Sequence, residues 1–219
     1  MSSYKYLLLT TLFLLYFLSY NLHAQTCIEG DCINGKGTFK NKDKSIYVGE
    51  FKDSLFHGKG IQTFPNNNKY EGDWIKGKKN GNGEFIWYNG NKYIGSFFDD
   101  MVQGKGTYYW INGDKLEREF KNNLYNGFGK KTFANGDIYE GNFFNNFMQG
   151  KGLLKFNNGD SFEGEWKLDK KEGKGKLIYK DNSYKIGNWY NDLMDGEFSI
   201  YSKKGLIIKT ENWSNGQLL

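Results

Sequence analysis

Residues Tyr70 to Lys92, YEGDWIKGKKNGNGEFIWYNGNK, are one copy of a unit that recurs along most of the chain, because a shift of 23 residues superposes the same residue types. One glycine column contains Gly58, Gly81, Gly104, Gly127, Gly150, Gly173 and Gly196, and a second contains Gly60, Gly83, Gly106, Gly129, Gly152 and Gly175. An aromatic column contains Phe51, Trp74, Phe97, Phe120, Phe143, Trp166 and Trp189. Self-similarity at a fixed period of this length indicates a repeat architecture.

Each unit alternates with the period of a β-strand. In YEGDW at 70–74, the two rings and the glycine fall on one face and the two carboxylates on the other. In GNGEFIW at 81–87, both glycines and both ring residues share a face in the same way. Residues 75–80 are predicted to turn between the two strands. Asn89-Gly90, a typical type I′ hairpin pair, is predicted to turn into the next repeat.

Glycine on a strand is unfavourable by about 0.5 to 1 kcal/mol relative to alanine, so its repetition needs a compensating interaction. Aromatic rings that lie flat over the bare glycine backbone would supply it. The pattern therefore predicts an all-β protein, an elongated antiparallel β-meander solenoid of about seven hairpins. At about 4.8 Å per strand it would be roughly 70 Å long.

The motif Y-x-G-x-[WF], followed by G-x-G and N-G, resembles the MORN repeat (membrane occupation and recognition nexus). The openings that carry the resemblance are YVGEF at 47–51, YEGDW at 70–74, YIGSF at 93–97, YEGNF at 139–143 and FEGEW at 162–166. The resemblance covers about residues 35–207 and implies a β-hairpin array that mediates protein–protein interaction. A phospholipid-binding role is the alternative that the family name suggests, and an accessory role for an enzyme is a third.

Several positions depart from the pattern. In LEREF at 116–120, Arg118 replaces the strand glycine; Phe198 stands where the second glycine belongs, and Trp213 is one residue out of register. Gly35 and Gly37 form half a repeat. Terminal repeats have to cap open sheet edges. We therefore assign an N-terminal cap to residues 25–46, the repeat array to 47–207 and a C-terminal cap strand to 208–219.

Residues 1–24 do not join the repeat. Lys5 precedes an apolar run from Leu7 to Leu18, and the segment ends at Ala24. This order predicts an N-terminal hydrophobic signal helix that is cleaved before Gln25. An uncleaved anchor is the alternative, but the run is shorter than the roughly 20 residues that span a bilayer. We expect an exported protein of the periplasm, cell surface or extracellular space.

The expected export bears on the chemistry of the only two cysteines, Cys27 and Cys32. In an oxidising compartment they are expected to form a disulfide that stabilises the fold by roughly 2 kcal/mol. Two thiols alone do not complete a tetrahedral metal site. Lipidation of Cys27 is a further alternative, although Gln25 and Thr26 match poorly the small residues expected before a lipidated cysteine.

No motif in the sequence predicts catalysis. His57 belongs to a column of polar turn residues, and the carboxylates recur in columns as well, which is typical of a solvated face. The GKG motif at 58–60 leads into a strand instead of a helix and so lacks the context of a phosphate loop. The net charge of +5 is dispersed, which disfavours nucleic acid as a partner. We expect a non-enzyme without cofactor, metal or small-molecule substrate.

Two surfaces are candidates for a protein partner or a second copy of the chain. The first is a stripe of apolar pairs expected at the hairpin tips, namely Leu55, Phe56, Met101, Val102, Leu124, Tyr125, Phe147, Met148, Leu193 and Met194. The alternative is that each tip packs onto the next repeat. The second candidate is the aromatic face with Tyr70, Trp74, Trp87, Tyr93, Trp110, Tyr139, Trp166 and Trp189. A membrane surface is possible, but dispersed charge disfavours strong binding of anionic lipid. The sequence thus predicts a binding or scaffold protein.

Overall fold

The computed structural model describes residues 26–123 and 127–219, and in these ranges the chain consists of β-strands joined by turns. The predicted signal helix lies outside the described residues. The strands are β1 Thr26–Gly30, β2 Lys36–Lys40, β3 Ile46–Lys52, β4 Leu55–Thr63, β5 Lys69–Ile75, β6 Lys78–Ile86, β7 Lys92–Phe98, β8 Met101–Tyr109, β9 Lys115–Phe120, β10 Gly127–Thr132, β11 Ile138–Phe144, β12 Phe147–Lys155, β13 Ser161–Lys167, β14 Lys170–Ile178, β15 Tyr184–Tyr190, β16 Leu193–Tyr201, β17 Ile207–Ser214 and β18 Gln217–Leu218.

The strands form one antiparallel sheet in which each strand pairs with the next along the chain. β3 pairs with β4, β4 with β5 and so on, and β9 pairs with β10 across the gap in the described residues. The predicted antiparallel β-meander of hairpins is therefore confirmed. A single sheet has no second layer against which to bury a face, so its core must form on one face alone.

Glycines face each other across nearly every strand pair and form a transverse row that we call the glycine ladder. Its first part runs through Gly37, Gly49, Gly60, Gly72, Gly83, Gly95 and Gly106, and its second through Gly129, Gly141, Gly152, Gly164, Gly175 and Gly187. Arg118 stands opposite Gly106 where the two parts meet. The ladder places bare backbone along the middle of the sheet.

In most repeats a ring lies on the ladder, as the sequence predicted, whereas the buried Leu116 stands at this position in one repeat. A Cβ atom at Gly83 would lie 2.6 Å from Cε2 of Tyr70, so the ring occupies the space that a side chain would need. Tyr47, Tyr70, Tyr93, Tyr139 and Phe162 are almost completely buried in this way. These rings meet the aromatic column edge to face: Tyr70 lies 5.1 Å from Trp74 and 5.0 Å from Phe97 between ring centroids. We call this side of the sheet the ring face.

The first glycine column differs from the prediction, which placed it on the ring face. Gly81 has a φ of +63°, and a Cβ there would lie 2.8 Å from the Asp73 carboxylate on the opposite side of the sheet. The pairing of β5 with β6 jumps at this point from Gly72–Gly83 to Asp73–Asn80, which marks a β-bulge. Glycine is therefore needed at this column for its left-handed conformation, and at the ladder for clearance.

The tyrosine hydroxyl connects the glycine ladder to the β-bulge. Tyr70 donates a hydrogen bond of 3.0 Å to the carbonyl of Asp73 at the bulge, and Tyr139 donates one of 3.0 Å to the carbonyl of Asn142. The same ring thus covers the ladder with its face and fixes the bulge with its hydroxyl. Phe162 covers the ladder without a hydroxyl.

The type I′ geometry occurs at a different turn of the repeat from the one predicted. At Asn89-Gly90 only the glycine has a positive φ, and the backbone N–H of Gly90 bonds the carbonyl of Trp87 at 2.9 Å, so this is a three-residue loop and not a type I′ turn. The turn predicted over residues 75–80 contains only Lys76 and Gly77, both with positive φ, which is the type I′ geometry. Residues 78–80 already belong to β6.

We expect Gly141→Val to destabilise the protein much more than Glu140→Ala. A Cβ at Gly141 would contact the Tyr139 hydroxyl and lie 2.6 Å from the Cα of Gly152, so valine has to displace backbone, at a cost of about 1 to 3 kcal/mol. Glu140 lies on the other face, where substitutions usually change stability by less than about 0.5 kcal/mol. Equal thermal midpoints for the two variants would contradict the assignment of the faces.

The buried tyrosines also predict a loss of stability in alkali. Burial raises the pKa of Tyr93 to about 12 and the pKa values of Tyr47, Tyr70 and Tyr139 further. Because the folded-state pKa lies above the ordinary value of about 10, the stabilisation is complete below pH 10. Above it the unfolded chain ionises first, so the free energy of unfolding should fall as the pH rises towards the folded pKa.

Urea denaturation across this pH range checks the alkaline prediction. The Tyr93→Phe variant is the control, because it removes one ionisable group and keeps the ring over the ladder. Its stability should fall less steeply above about pH 10 than that of the parent protein. Identical slopes for the two proteins would exclude Tyr93 as a contributor.

Candidate interaction surface

Strand residues that alternate with the rings lie on the opposite side of the sheet, which we call the open face. Two rows of these residues flank the backbone of the glycine ladder and leave shallow grooves between them. The N-terminal groove has a volume of about 670 Å³ and is lined by Val48, Ile61, Glu71 and Ile94 together with ladder glycines. Apolar side chains are thus exposed beside accessible backbone in the middle of the sheet.

A second groove of about 660 Å³ lies over the C-terminal repeats. Phe128, Leu153 and Ile186 line it together with Lys151 and Lys176. Phe128 is 70% exposed. The side chain of Arg118, between the two grooves, lies on the ring face, with its guanidinium carbon 5.6 Å from the centre of the Phe143 ring. Arg118 therefore leaves the floor of the open face unobstructed.

Charged residues on the open face form ion pairs with their neighbours. In the N-terminal groove, Glu71 lies directly opposite Glu84. Each carboxylate is compensated by a lysine, Glu71 by Lys69 at 2.9 Å and Glu84 by Lys92 at 3.3 Å. These pairs are solvent-exposed, so each is worth at most about 1 kcal/mol. Their arrangement favours a solvated binding surface over a proton-transfer site.

The apolar pairs that the sequence placed at the hairpin tips begin the strands that follow the tips, and their two members face opposite ways. Phe56 stacks on Tyr47 with 3.8 Å between ring centroids, and Met148 is only 6% exposed. Val102 and Met194 also pack against the ring-face core. The first members, Leu55, Met101, Phe147 and Leu193, lie on the open face, whereas Leu124 and Tyr125 lie outside the described residues. Only half of the stripe members that the structure describes therefore lie on the open face.

Each first member pairs with the last residue of the preceding strand, and together they form a row along the turns of the open face. We call it the turn-edge row; it comprises Lys52, Leu55, Ile75, Lys78, Phe98, Met101, Phe144, Phe147, Lys167, Lys170, Tyr190 and Leu193. The sequence analysis missed Ile75, Phe98, Phe144 and Tyr190. The signal was present, since each directly follows a member of the aromatic column and so points away from the ring face.

The aromatic face is mostly core. Tyr70, Trp74, Tyr93, Tyr139, Trp166 and Trp189 are buried, and Trp87 and Trp110 are half-buried. In the repeats that lack an apolar second member, a lysine covers the rings instead: the Nζ of Lys171 lies 5.4 Å from the centre of the Trp189 ring. The ring face therefore offers a partner much less apolar surface than the open face does.

Asparagine and aspartate side chains join successive hairpins, a feature that the sequence analysis did not identify. At the type I′ turns, Oδ1 of Asp192 accepts a bond of 2.9 Å from the backbone N–H of Lys171 in the preceding repeat. At the three-residue loops, Oδ1 of Asp137 accepts a bond of 2.9 Å from the N–H of Asn157 in the next repeat. These bonds hold both margins of the open face in register.

Cys27 and Cys32 form the predicted disulfide, with 5.9 Å between their Cα atoms. A Cβ at Gly37 would lie 2.8 Å from the sulfur of Cys32, so the disulfide covers this ladder glycine as aromatic rings cover ladder glycines elsewhere. The disulfide therefore serves as the terminal cap of the ring face.

The described residues contain no group of three or more His, Cys, Asp and Glu side chains that could hold a metal ion. None of the described segments forms a helix with the length and hydropathy of a membrane span. His57 lies at the bulge opposite Glu50, and its backbone carbonyl accepts a bond of 3.3 Å from Tyr47.

The repeats match a family model described as MORN repeat at residues 47–69, 70–92, 93–115, 119–138, 139–161, 162–184 and 186–197. The chain belongs to the MORN repeat family. A comparison with curated proteins gave no match. The MORN assignment thus rests on the repeats themselves, which make up more than half of the chain.

One solved structure is similar in fold to this chain. The G-box domain of the microcephaly protein CPAP aligns with a TM-score of 0.54 at 9% identity and covers 87% of this chain and 100% of that chain. The TCP domain of SAS-4 from Drosophila melanogaster, in complex with a proline-rich motif of Ana2, aligns with a TM-score of 0.47 at 13% identity and covers 78% and 87% of the two chains. At 9% identity the likeness to the G-box domain concerns the fold alone.

Reduction of the disulfide is predicted to loosen the N-terminal cap of the MORN array. Loss of the cross-link uncovers Gly37 and removes about 2 kcal/mol of stabilisation. Hydrogen exchange should therefore accelerate in β1 and β2 and stay unchanged in β14 and β15. Unchanged protection of β2 after reduction would show that the disulfide is dispensable for the cap.

Proposed function

We propose that this MORN-repeat protein is a non-catalytic scaffold of the cell envelope or extracellular space that binds a protein partner on its open face. The observation that carries the proposal is the uncovered apolar surface of the two grooves. In a two-layer fold, side chains such as Ile94 and Phe128 would pack against a second layer. Here they remain exposed on a sheet whose stability is supplied from the other face.

The sheet is suited to a scaffold because its surface is rigidly spaced. Consecutive hairpins are joined by backbone pairing in the middle and by side-chain bonds at both margins. A preorganised surface loses less conformational entropy on binding than a flexible one. An elongated array can also present separate segments of the open face to separate partners.

The proposed location outside the cytoplasm is supported by the Cys27–Cys32 disulfide, since such bonds persist in oxidising compartments. The signal peptide at residues 1–24 remains part of the proposal, because that segment lies outside the described residues. Amino-terminal sequencing of the protein from its native source should begin at Gln25.

Self-association is the second mode of interaction that we propose. Strand β17 pairs with β18 only at Trp213 and Ser214, while Ile207 and Ile208 are exposed on its two faces. A strand with an incompletely paired edge is a template for antiparallel pairing with a second chain. This would leave the grooves of both copies accessible.

Site-specific photo-crosslinking in the native host tests the scaffold proposal. Benzoylphenylalanine in place of Ile94, in the N-terminal groove, should give a discrete protein adduct. The matched control is the same substitution at Ile111, which is 75% exposed but lies in a loop away from the groove. The mass of the adduct distinguishes a second copy of the chain from another protein.

No adduct at position 94, or equal adducts at positions 94 and 111, would argue against the groove as the binding site. An adduct that is specific to position 94 and differs in mass from a dimer would support a distinct partner. Both variants should be checked for an unchanged thermal midpoint, because neither substituted side chain is buried in the ring-face core.

A further inference from the structure

A row of half-buried rings lies on the ring face beside the three-residue loops. We call it the loop-side row; it comprises Phe64, Phe85, Trp87, Tyr108 and Trp110, all within residues 26–123, which the structure describes without a gap. Neighbouring ring centroids lie 4.8 Å apart for Phe85 and Trp87, 5.1 Å for Trp87 and Tyr108, and 4.6 Å for Tyr108 and Trp110. A contiguous series of partly exposed rings marks an interaction site.

The two tryptophans of the row present hydrogen-bond donors that the fold does not use. The indole N–H of the core residue Trp74 donates to the carbonyl of Gly60 at 3.2 Å. Among the described residues, the indole N–H groups of Trp87 and Trp110 have no acceptor, and neither is a buried polar atom. Both donors therefore reach solvent at the exposed margin of the rings.

The polar side chains beside the tryptophans have their acceptors engaged. Oδ1 of Asn68 accepts a bond of 2.9 Å from the backbone N–H of Tyr88, and Oδ1 of Asn91 accepts one of 2.9 Å from that of Ile111. The Tyr108 hydroxyl accepts a bond of 3.1 Å from Nδ2 of Asn91, which leaves its O–H to donate. The row is thus an electropositive edge of donors, which complements a ligand that brings acceptors.

The lysines at the two ends of the row are neutralised within the protein. Lys79 forms an ion pair with Asp100 at 3.4 Å, and Lys131 forms one with Asp114 at 3.2 Å. The two ammonium groups lie 5.6 and 5.2 Å from the centres of the terminal rings of the row. Ionic attraction is therefore satisfied at both ends, and the row favours a neutral ligand.

The spacing of the row matches a polyproline II helix. Trp87 and Trp110 occupy the same position in successive repeats, which are two strand spacings, or about 9.6 Å, apart. A polyproline II helix completes a turn of three residues in about 9.3 Å, so every third side chain faces the row from the same side. Neighbouring rings of the row are inclined by 42 to 57° and form shallow notches instead of one flat platform.

We propose that the loop-side row binds a proline-rich segment of a partner protein in the polyproline II conformation. Pyrrolidine rings of successive turns would lie in the notches beside Trp87 and Trp110, whose indole N–H groups would donate to carbonyls of the segment. Such a helix makes no internal hydrogen bonds, and proline has no N–H that would need an acceptor. The row lies on the opposite face from the grooves and is independent of the proposed scaffold function.

A labelled, end-capped peptide of about nine L-proline residues, which is three turns of polyproline II helix, tests this inference. Fluorescence anisotropy should show saturable binding to the protein, with little dependence on salt because the row is neutral. Binding should weaken by at least about tenfold in Trp87→Leu/Trp110→Leu, which removes both rings and both donors. Absence of saturable binding to the parent protein would overturn the proposal.

A second double variant separates the hydrogen bonds from the rings. Trp87→Phe/Trp110→Phe keeps an aromatic ring at both positions without the indole N–H. The affinity should fall by about three- to tenfold, and an unchanged affinity would overturn the assignment of the donors. Since these rings also touch the ring-face core, the thermal midpoint of each variant has to be measured beside its binding.

Two variants serve as controls for position. Phe156→Leu changes the same position of a later repeat, where the Nζ of Lys171 lies 5.8 Å from the ring centre, and Ile94→Glu alters the N-terminal groove on the open face. Both should bind the peptide as the parent protein does. Loss of binding in Ile94→Glu, with full binding in the tryptophan variants, would place the peptide in the groove and overturn the inference.

Two further ligands complete the test. The peptide of D-proline has the same composition and carbonyls but the opposite hand, whereas strand twist makes the row wind in one sense. It should bind at least about tenfold more weakly, and equal binding of the two enantiomers would overturn the proposal by reducing the interaction to non-specific apolar contact. Oligomers of glucose and N-acetylglucosamine should not bind. Oligosaccharide binding that is lost in the tryptophan variants, without peptide binding, would replace the proline-rich segment by a glycan.

Discussion

The fold depends on the contact between an aromatic ring and the backbone of two paired glycines. At Gly72 and Gly83 the ring of Tyr70 lies where side chains would otherwise stand, and its hydroxyl reaches the bulge at Asp73. Because glycine has no Cβ on either strand, the ring approaches the sheet closely enough to be buried without a second layer. Dispersion and edge-to-face contacts with Trp74 then link one repeat to the next.

Where the sequence departs from the repeat, the same contact is kept by other means. Phe198 occupies the position of a ladder glycine, but its ring lies over Gly187 on the neighbouring strand, so ring and glycine have exchanged strands. At the N-terminus the sulfur of Cys32 covers Gly37. The fold therefore requires a covered bare backbone and not a tyrosine as such.

The sequence predicted the hairpin array and which residues of the odd-numbered strands lie on the ring face. Both follow from a strict period of two and a strict repeat of 23 residues. The sequence analysis placed Gly81 on the wrong face, because the β-bulge interrupts the alternation of faces without changing the residues of the motif. It also read Trp213 as out of register, whereas Ile208, an extra residue that has no pairing partner in β16, restores the pairing of Trp213 with Gly196. The spacing of residues in the sequence counts every residue, whereas the pairing of strands also depends on which residues a bulge leaves unpaired.

The different roles of the two faces explain why a candidate binding surface was harder to predict than the fold. Ring-face positions repeat because every unit needs the same contact with the ladder, so their columns are visible in one sequence. Open-face positions such as Val48, Glu71 and Ile94 share one column yet differ in kind, because no structural contact fixes them. Positions released from the fold can differ from repeat to repeat, and that freedom is what a surface needs in order to recognise one particular partner.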